Sequence, residues 1–130
     1  MPAKHAIDTK AMLLITTWEG EAIDNEFIEA IKKYQSDIQC NRDYHGFNEV
    51  VDFRKVTKIK LTTKGITNIG SIASSTDNTG VKTKLVFIVS SDLAYGLVRM
   101  YEAIRSFSAN ATKTVKVFKN ESDAFEWVQK

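Results

Sequence analysis

Apolar residues in this chain fall into short, nearly continuous runs of five to seven residues. Such runs, rich in β-branched residues, are typical of strands that are buried on both faces of a sheet. A weaker alternation from Lys4 to Thr9 predicts a short additional strand beside the first run. The four main predicted strands are Met12–Trp18, Phe47–Phe53, Lys84–Val89 and Thr114–Phe118.

Between these runs the apolar residues recur with helical spacing. Asp24 is the expected N-cap of a first helix that ends near Gln35, and the polar stretch from Ser36 to His45 is expected to be a loop. Thr62 or Thr63 is the expected cap of a second helix, which is followed by a turn over Ser74 to Gly80. A third helix, capped by Ser90, Ser91 or Asp92, would bury Leu93, Leu97, Met100, Ile104 and Phe107, and the last helix would span Ser122–Gln129.

Strands and helices therefore alternate four times along the chain. Right-handed βαβ crossovers bring such strands side by side in parallel, and the weak first strand would add in the antiparallel sense. The sequence predicts an α/β fold with a mixed, mainly parallel sheet of about five strands and four helices. At 130 residues, one domain over 1–130 is expected.

Composition excludes disordered, collagen-like and disulfide-scaffold proteins. The 43% of apolar residues can form a core, and the net charge of only +2 does not predict binding to nucleic acid. The single cysteine, Cys40, cannot form an internal disulfide. No apolar stretch is long enough for a membrane span, so a soluble, cytoplasmic protein is expected.

No catalytic or cofactor-binding motif is present in the sequence. His5 and His45 have no partner at the spacing of a metal site or a catalytic triad, and no glycine-rich phosphate loop follows a strand. No cofactor and no enzymatic activity are therefore expected. Two enzymatic alternatives stay open: a thiol nucleophile at Cys40, and the hydroxyls and carboxylate of the turn Ser90–Asp92.

The stretch from Arg54 to Lys64 contains five cations and no acidic residue. It follows a predicted strand and precedes a helix start, where backbone N–H groups favour anions. The alternative is a solvated loop whose charges only keep the protein soluble. We name as the predicted crevice the residues expected to bind an anion or a partner here: Asp52, Arg54, Lys58, Lys60, Thr62, Thr63, Lys64, Ser90, Ser91 and Asp92.

The order of the segments along the chain also resembles that of a known family. LLITTWEGEAIDNEFIEAI, FNEVVDFRKVTKIKLTTKGI, KLVFIVSSDLAYGLVRMYEAI and VKVFKNESDAFEWV resemble, over almost the whole chain, STAS-like domains of the SpoIIAA-like family. The resemblance implies a regulatory module that binds a kinase or a sigma-factor regulator at a helix start, which corresponds here to Thr62 and Thr63. The resemblance also implies an interaction module of the bacterial type, and we expect this module to be a homodimer.

One departure from that family concerns the regulated loop. The antagonists carry an Asp-Ser pair there, whereas this chain reads Lys60-Leu61-Thr62-Thr63, without a carboxylate. A phosphorylation switch at Thr62 or Thr63 is therefore not expected. The related Sec14-type domains imply a second hypothesis, a carrier of a small apolar ligand, which predicts a sizeable apolar pocket, of roughly a few hundred Å³, between the sheet and the helices.

Overall fold

The computed structural model describes residues 3–75, 81–107 and 112–130. Its five strands form one sheet in the order β1-β2-β3-β4-β5, in which β1 is antiparallel to β2 and the other neighbours are parallel. The predicted mixed α/β sheet with four helices is confirmed. The elements are β1 (Ala3–Asp8), β2 (Leu13–Ile23), α1 (Asp24–Tyr34), β3 (Asn48–Lys60), α2 (Thr63–Ser74), β4 (Thr83–Ile88), α3 (Asp92–Ser106), β5 (Lys113–Phe118) and α4 (Glu121–Val128).

The sequential strand order determines where the helices lie. Right-handed crossovers that always step to the same side place their helices on one face of the sheet. Accordingly α1, α2 and α3 pack side by side over the larger core, and α4 packs on the opposite face against β3, β4 and β5. None of the helices in the described ranges is long and apolar enough to cross a lipid bilayer.

Strands β2 and β3 are longer than the apolar runs predict. The strand predicted to end at Trp18 continues as β2 to Ile23, and Arg54 to Lys60 is strand rather than loop. Irregularities in the pairing after Thr17 and after Gly20 let the two strands continue together. Because of these irregularities, the core-facing residues Val56 and Ile59 are three positions apart instead of two. The sequence therefore does not show the alternation that is typical of a strand.

Several local predictions about the helices were wrong. Asp24 is the first residue of α1 rather than its N-cap, and Ile23 occupies the cap position without a side-chain hydrogen bond. The expected loop after α1 contains a π-helical turn at Gln35–Gln39 and a 3-10 turn at Arg42–Tyr44. Of the turn predicted over Ser74 to Gly80, residues 76–80 lie outside the described residues.

The buried face of α3 also differs from the prediction. Leu93 and Phe107 are exposed, whereas Ala94, Val98, Tyr101 and Arg105 are buried. Leu97, Met100 and Ile104 flank this stripe and are half-buried against the core, so the expected stripe was displaced by one position. The reason is that the helix buries a tyrosine and an arginine, residue types that hydrophobic periodicity assigns to the exposed side.

Candidate functional site

The residues of the predicted crevice fall into two groups in the structure. Asp52 and Arg54 lie in the middle of β3, beside the carboxyl end of β4 and the turn Ser90–Asp92, since Asp52 is the neighbour of Ile88 in the sheet. The remaining residues lie at the far end of the β3 extension. The strand covers roughly 25 Å between Asp52 and Lys60 at ~3.3 Å per residue, so one crevice does not contain both groups.

In the first group, Arg54 is tied to two carboxylates. Its guanidinium forms two hydrogen bonds with Asp52, at 2.7 and 3.0 Å, and a third with Glu121 of α4 at 3.1 Å. Burial alone would raise the pKa of Asp52, but the hydrogen bonds and charge of Arg54 outweigh it and lower that pKa. The same hydrogen bonds raise the pKa of the Arg54 guanidinium above its usual value. These side chains join β3 to α4, so they have a structural role.

Most of the basic stretch is neutralised by neighbouring acidic residues. Lys55 pairs with Glu19 at 3.6 Å and Lys60 with Glu21 at 3.8 Å, both across the β2–β3 ladder. Among the described residues, Lys58 and Lys64 have no ion pair. The stretch is therefore less attractive to anions than its own sequence indicates, because β2 supplies the missing carboxylates.

Thr62 and Thr63 lie at the start of α2, where Thr62 is the N-cap, as expected. The Thr62 hydroxyl accepts a hydrogen bond from the N–H of Gly65 at 2.9 Å. It also donates to Asp24 at 2.6 Å, and the Thr62 N–H donates to the same carboxylate at 3.0 Å. The carboxylate that the local sequence lacks thus comes from the start of α1. We call Asp24, Thr62 and Gly65 the α1–α2 lock.

The approach of α1 to α2 is close enough to require a glycine. A Cβ atom at Gly65 would lie 2.1 Å from a carboxylate oxygen of Asp24, well inside van der Waals contact. Thr62, Thr63 and Lys64 remain exposed beside this contact. The lock therefore holds an exposed helix start in one fixed position.

The turn Ser90–Asp92 caps α3. The Ser91 hydroxyl accepts from the N–H of Ala94 at 3.1 Å, which accounts for one of the hydroxyls. Asp92 pairs with Lys119, which lowers the pKa of the Asp92 carboxyl. Lys119 also lies over the ring of Tyr95, 5.7 Å from its centre. These contacts describe a helix cap and a surface ion pair.

Cys40, the other residue considered for catalysis, is exposed. Its backbone N–H donates to the carbonyl of Gln35, which closes the π-helical turn. No hydrogen bond joins its thiol to a base among the described residues. Within the described ranges, no three His, Cys, Asp or Glu side chains come together in a way that would hold a metal ion.

A cavity of about 110 Å³ lies between the sheet and the three helices of the larger core. Aromatic rings form much of its wall, and they contact one another in series. Trp18 stacks on Phe27 with ring centres 4.7 Å apart, Phe53 lies 5.5 Å from Phe87, and Phe87 lies 5.7 Å from Tyr101. The residues of this wall come from β2, β3, β4, α1 and α3.

A buried ion pair lines the same cavity. Glu49, 7% exposed, accepts hydrogen bonds from Lys113 and, at 2.9 Å, from Gln39. Burial, together with the charge and hydrogen bonding of Glu49, raises the pKa of the nearby Tyr34 hydroxyl far above its usual range. Arg105, only 3% exposed, also lines the cavity and donates to the Tyr101 hydroxyl at 2.9 Å.

These buried polar residues were missed by sequence reasoning. Two signals could have indicated them: Glu49 interrupts an otherwise apolar strand, and Arg105 is four residues after Tyr101. Neither signal shows that Lys113, more than sixty residues after Glu49, is the partner.

The architecture is similar to that of a crystal structure of an uncharacterised protein of the DUF3478 family from Shewanella loihica, described as having a SpoIIAA-like fold. The likeness covers 97% of this chain and 91% of that chain, with a TM-score of 0.57 and 12% sequence identity. The chain thus has a SpoIIAA-like fold, as its segment order predicts. No family model and no curated protein matches the sequence.

Proposed function

We propose that the SpoIIAA-like fold serves here as a non-enzymatic interaction module whose partner surface is the start of α2. The observation that carries this proposal is the α1–α2 lock, which fixes an exposed helix start through two hydrogen bonds from Thr62 to Asp24. The exposed side chains of Thr63 and Lys64 lie beside it. A fixed surface loses little conformational entropy on binding, which favours affinity.

The partner we propose is a protein of the kinase or sigma-factor regulator type, because the STAS-like domains that this chain resembles bind such proteins at the corresponding helix start. The exposed cations Lys58 and Lys64 favour an acidic surface on that partner. A second copy of the chain, as in a homodimer, is an alternative occupant that size-exclusion chromatography with light scattering distinguishes.

We do not expect phosphorylation to switch this surface. The Thr62 hydroxyl already donates to Asp24 and accepts from Gly65. A phosphate there would lose the donated hydrogen bond and lie against a carboxylate, which is unfavourable. Mass spectrometry of the protein from its native cells should therefore show no stoichiometric phosphothreonine at Thr62 or Thr63.

A photo-crosslinking residue at Lys64, introduced in the native cells, tests the proposed partner surface. We expect a covalent adduct with another protein, and adding Asp24→Ala should weaken it because the helix start is then less fixed. The same crosslinker at the exposed Thr114, on β5, is the matched control. Equal adducts from both positions, or none from Lys64, would contradict the proposal.

A second candidate function is carriage of a small apolar ligand. The cavity lies where this hypothesis expects it, between the sheet and the helices, but it is smaller than the roughly few hundred Å³ expected and therefore supports only a very small ligand. A cavity of roughly 150 Å³ in another protein binds benzene, so about 110 Å³ suits a molecule of one ring or less. Benzene titrated into labelled protein should shift the NMR signals of cavity-lining residues. Ala30→Leu, which narrows the cavity, should abolish the shifts, whereas Ala103→Leu on the exposed side of α3 should retain them.

A further inference from the structure

The outer edge of β1 is open for pairing with another strand. β1 is the first strand in the sheet order and has β2 as its one neighbour. Within the described residues, Ala3–Asp8 makes no backbone–backbone hydrogen bond outside the β1–β2 ladder. Five of its six residues are exposed. Such an edge is a template for strand addition unless its side chains prevent the approach of a second strand.

The sequence of β1 is complementary to itself. Two copies related by a two-fold axis pair in the antiparallel sense, with residues of the same face opposite each other. When the axis passes beside Ala6, Lys4 faces Asp8 of the second copy, and Asp8 faces Lys4 in turn. In the same register His5 faces Ile7, and the small Ala6 faces its own copy on the axis. This register therefore matches both charges and places no bulky side chain on the axis.

The two charged side chains are available for this pairing. Among the residues that the structure describes, Lys4 and Asp8 form no ion pair. One oxygen of Asp8 accepts a hydrogen bond from the N–H of Ala11 at 3.0 Å, which leaves the other oxygen for a lysine. Ile7, a large apolar side chain, is 38% exposed on the same strand. Pairing would cover part of it with the His5 ring of the second copy.

Other ways of pairing two copies match the charges less well. Moving the axis by one residue in either direction separates Lys4 from Asp8, because each then faces an uncharged residue or a lysine. The opposite outer strand, β5, contains Lys113 and Lys116 and no acidic residue. No register between two copies of β5 therefore brings opposite charges together. Lysines on an edge strand are a common means of preventing such pairing.

The helices do not obstruct the pairing of two β1 strands. The axis is perpendicular to the sheet, so α1 of each copy lies on the same face of the joined sheet. α1 packs on β2, and three strand spacings of ~4.8 Å, roughly 14 Å in all, separate β2 from its copy. Packed helices lie only about 8–10 Å apart. The two copies of α1 therefore have room on either side of the axis.

We infer that the protein forms a two-fold symmetric dimer through β1, in which the two five-stranded sheets become one continuous sheet. The second copy is the occupant that the observations favour, because the charges of the open strand match those of its own sequence. This inference goes beyond the proposed partner surface and leaves it free, since α2 follows β3, two strands away from β1.

Charge reversal tests the register. The full chain should sediment as a dimer in a dilution series, and Lys4→Asp should weaken the dimer at least about tenfold, because two attractive pairs become repulsive. Adding Asp8→Lys to the same chain should restore the dimer. An equimolar mixture of the two single variants should form a mixed dimer, since each chain carries the charges that the other needs. Lys116→Asp, on β5, is the matched control and should leave the dimer unchanged.

Crosslinking tests the same register without changing a charge. Ala6→Cys in a Cys40→Ala background should form a disulfide between copies under mild oxidation, because facing residues of antiparallel strands have Cα atoms about 4.5–5.5 Å apart. Thr114→Cys, exposed on β5, should give much less crosslinked dimer. The Asp8 carboxylate also holds the turn through Ala11, so crosslinking decides the register if Asp8→Lys does not fold.

The outcomes separate this inference from the proposed function. A chain that stays monomeric at the highest concentration measured, or a dimer that Lys4→Asp leaves intact, would overturn the inference. A dimer weakened by Lys64→Glu but not by Lys4→Asp would overturn it as well, and would place the second copy at the start of α2. A dimer that responds to Lys4→Asp, in cells where the crosslinker at Lys64 captures no protein, would support the inference and contradict the proposed partner surface alone.

Discussion

Replacing Phe87 with alanine gives the clearest test of the core. Phe87 is 6% exposed on β4, a strand with neighbours on both sides, and its ring contacts those of Phe53 and Tyr101. Removing the ring from the apolar interior costs about 2 kcal/mol in transfer free energy. The enlarged cavity costs about as much again, at ~24 cal/mol per Å³.

We therefore expect Phe87→Ala to lower the free energy of unfolding by about 4 kcal/mol, within the usual range for such truncations. Both contributions apply in full because Phe87 lines a cavity that the surrounding side chains already leave unfilled. These side chains are therefore not expected to move into the space that the ring leaves. Urea denaturation at constant pH, followed by circular dichroism, measures the midpoint and the slope.

Phe107→Ala is the matched control for this substitution. The same side chain is removed from the end of α3, where it is 87% exposed, so stability should change by less than about 0.5 kcal/mol. A loss below ~1 kcal/mol for Phe87→Ala, or equal losses for both variants, would refute the central position of β4 in the core.

Three further predictions concern the polar contacts. Thr62→Ala should cost about 0.5–2 kcal/mol in thermal or chemical unfolding through loss of the cap, while Thr63→Ala should cost less than about 0.5 kcal/mol; similar costs for both would contradict the cap assignment. Gly65→Ala should displace the carboxylate at the start of α1, and its cost should be less than additive with Thr62→Ala in a double-mutant cycle. The lowered pKa of Asp52 adds stability that is present above its unfolded-state value of about 3.9 and is lost as the pH falls through the folded-state value. The difference in denaturation midpoint between the wild type and Arg54→Met should accordingly shrink in acid, and a difference independent of pH would argue against this ion pair.

The sequence predicts the parallel strands well because burial on both faces leaves a direct signal. After Lys84, the residues from Leu85 to Val89 form a continuous apolar run, and the structure places Thr83–Ile88 in the interior of the sheet. The extension of β3 was missed because its pairing shifts change the spacing of Val56 and Ile59. Local periodicity cannot predict such a shift, which depends on the paired strand.

The site was less predictable than the fold, for a related reason. Thr62 was found as a helix cap from its own neighbours, but its carboxylate partner, Asp24, is thirty-eight residues away. Glu49 and Lys113 are farther apart still. Patterns along the chain indicate which residues are buried, whereas the identity of a polar partner depends on the tertiary arrangement.

The sequential order of the strands has a consequence for how the protein folds. Each new strand adds to the outer edge of the strands before it, so no strand has to insert between two others. The sheet can therefore grow during synthesis as the chain leaves the ribosome. The second face stays uncovered until α4 arrives, with Val50, Val86 and Ile88 exposed on it. Ribosome-bound chains that stop before residue 121 should accordingly be the species most dependent on chaperones.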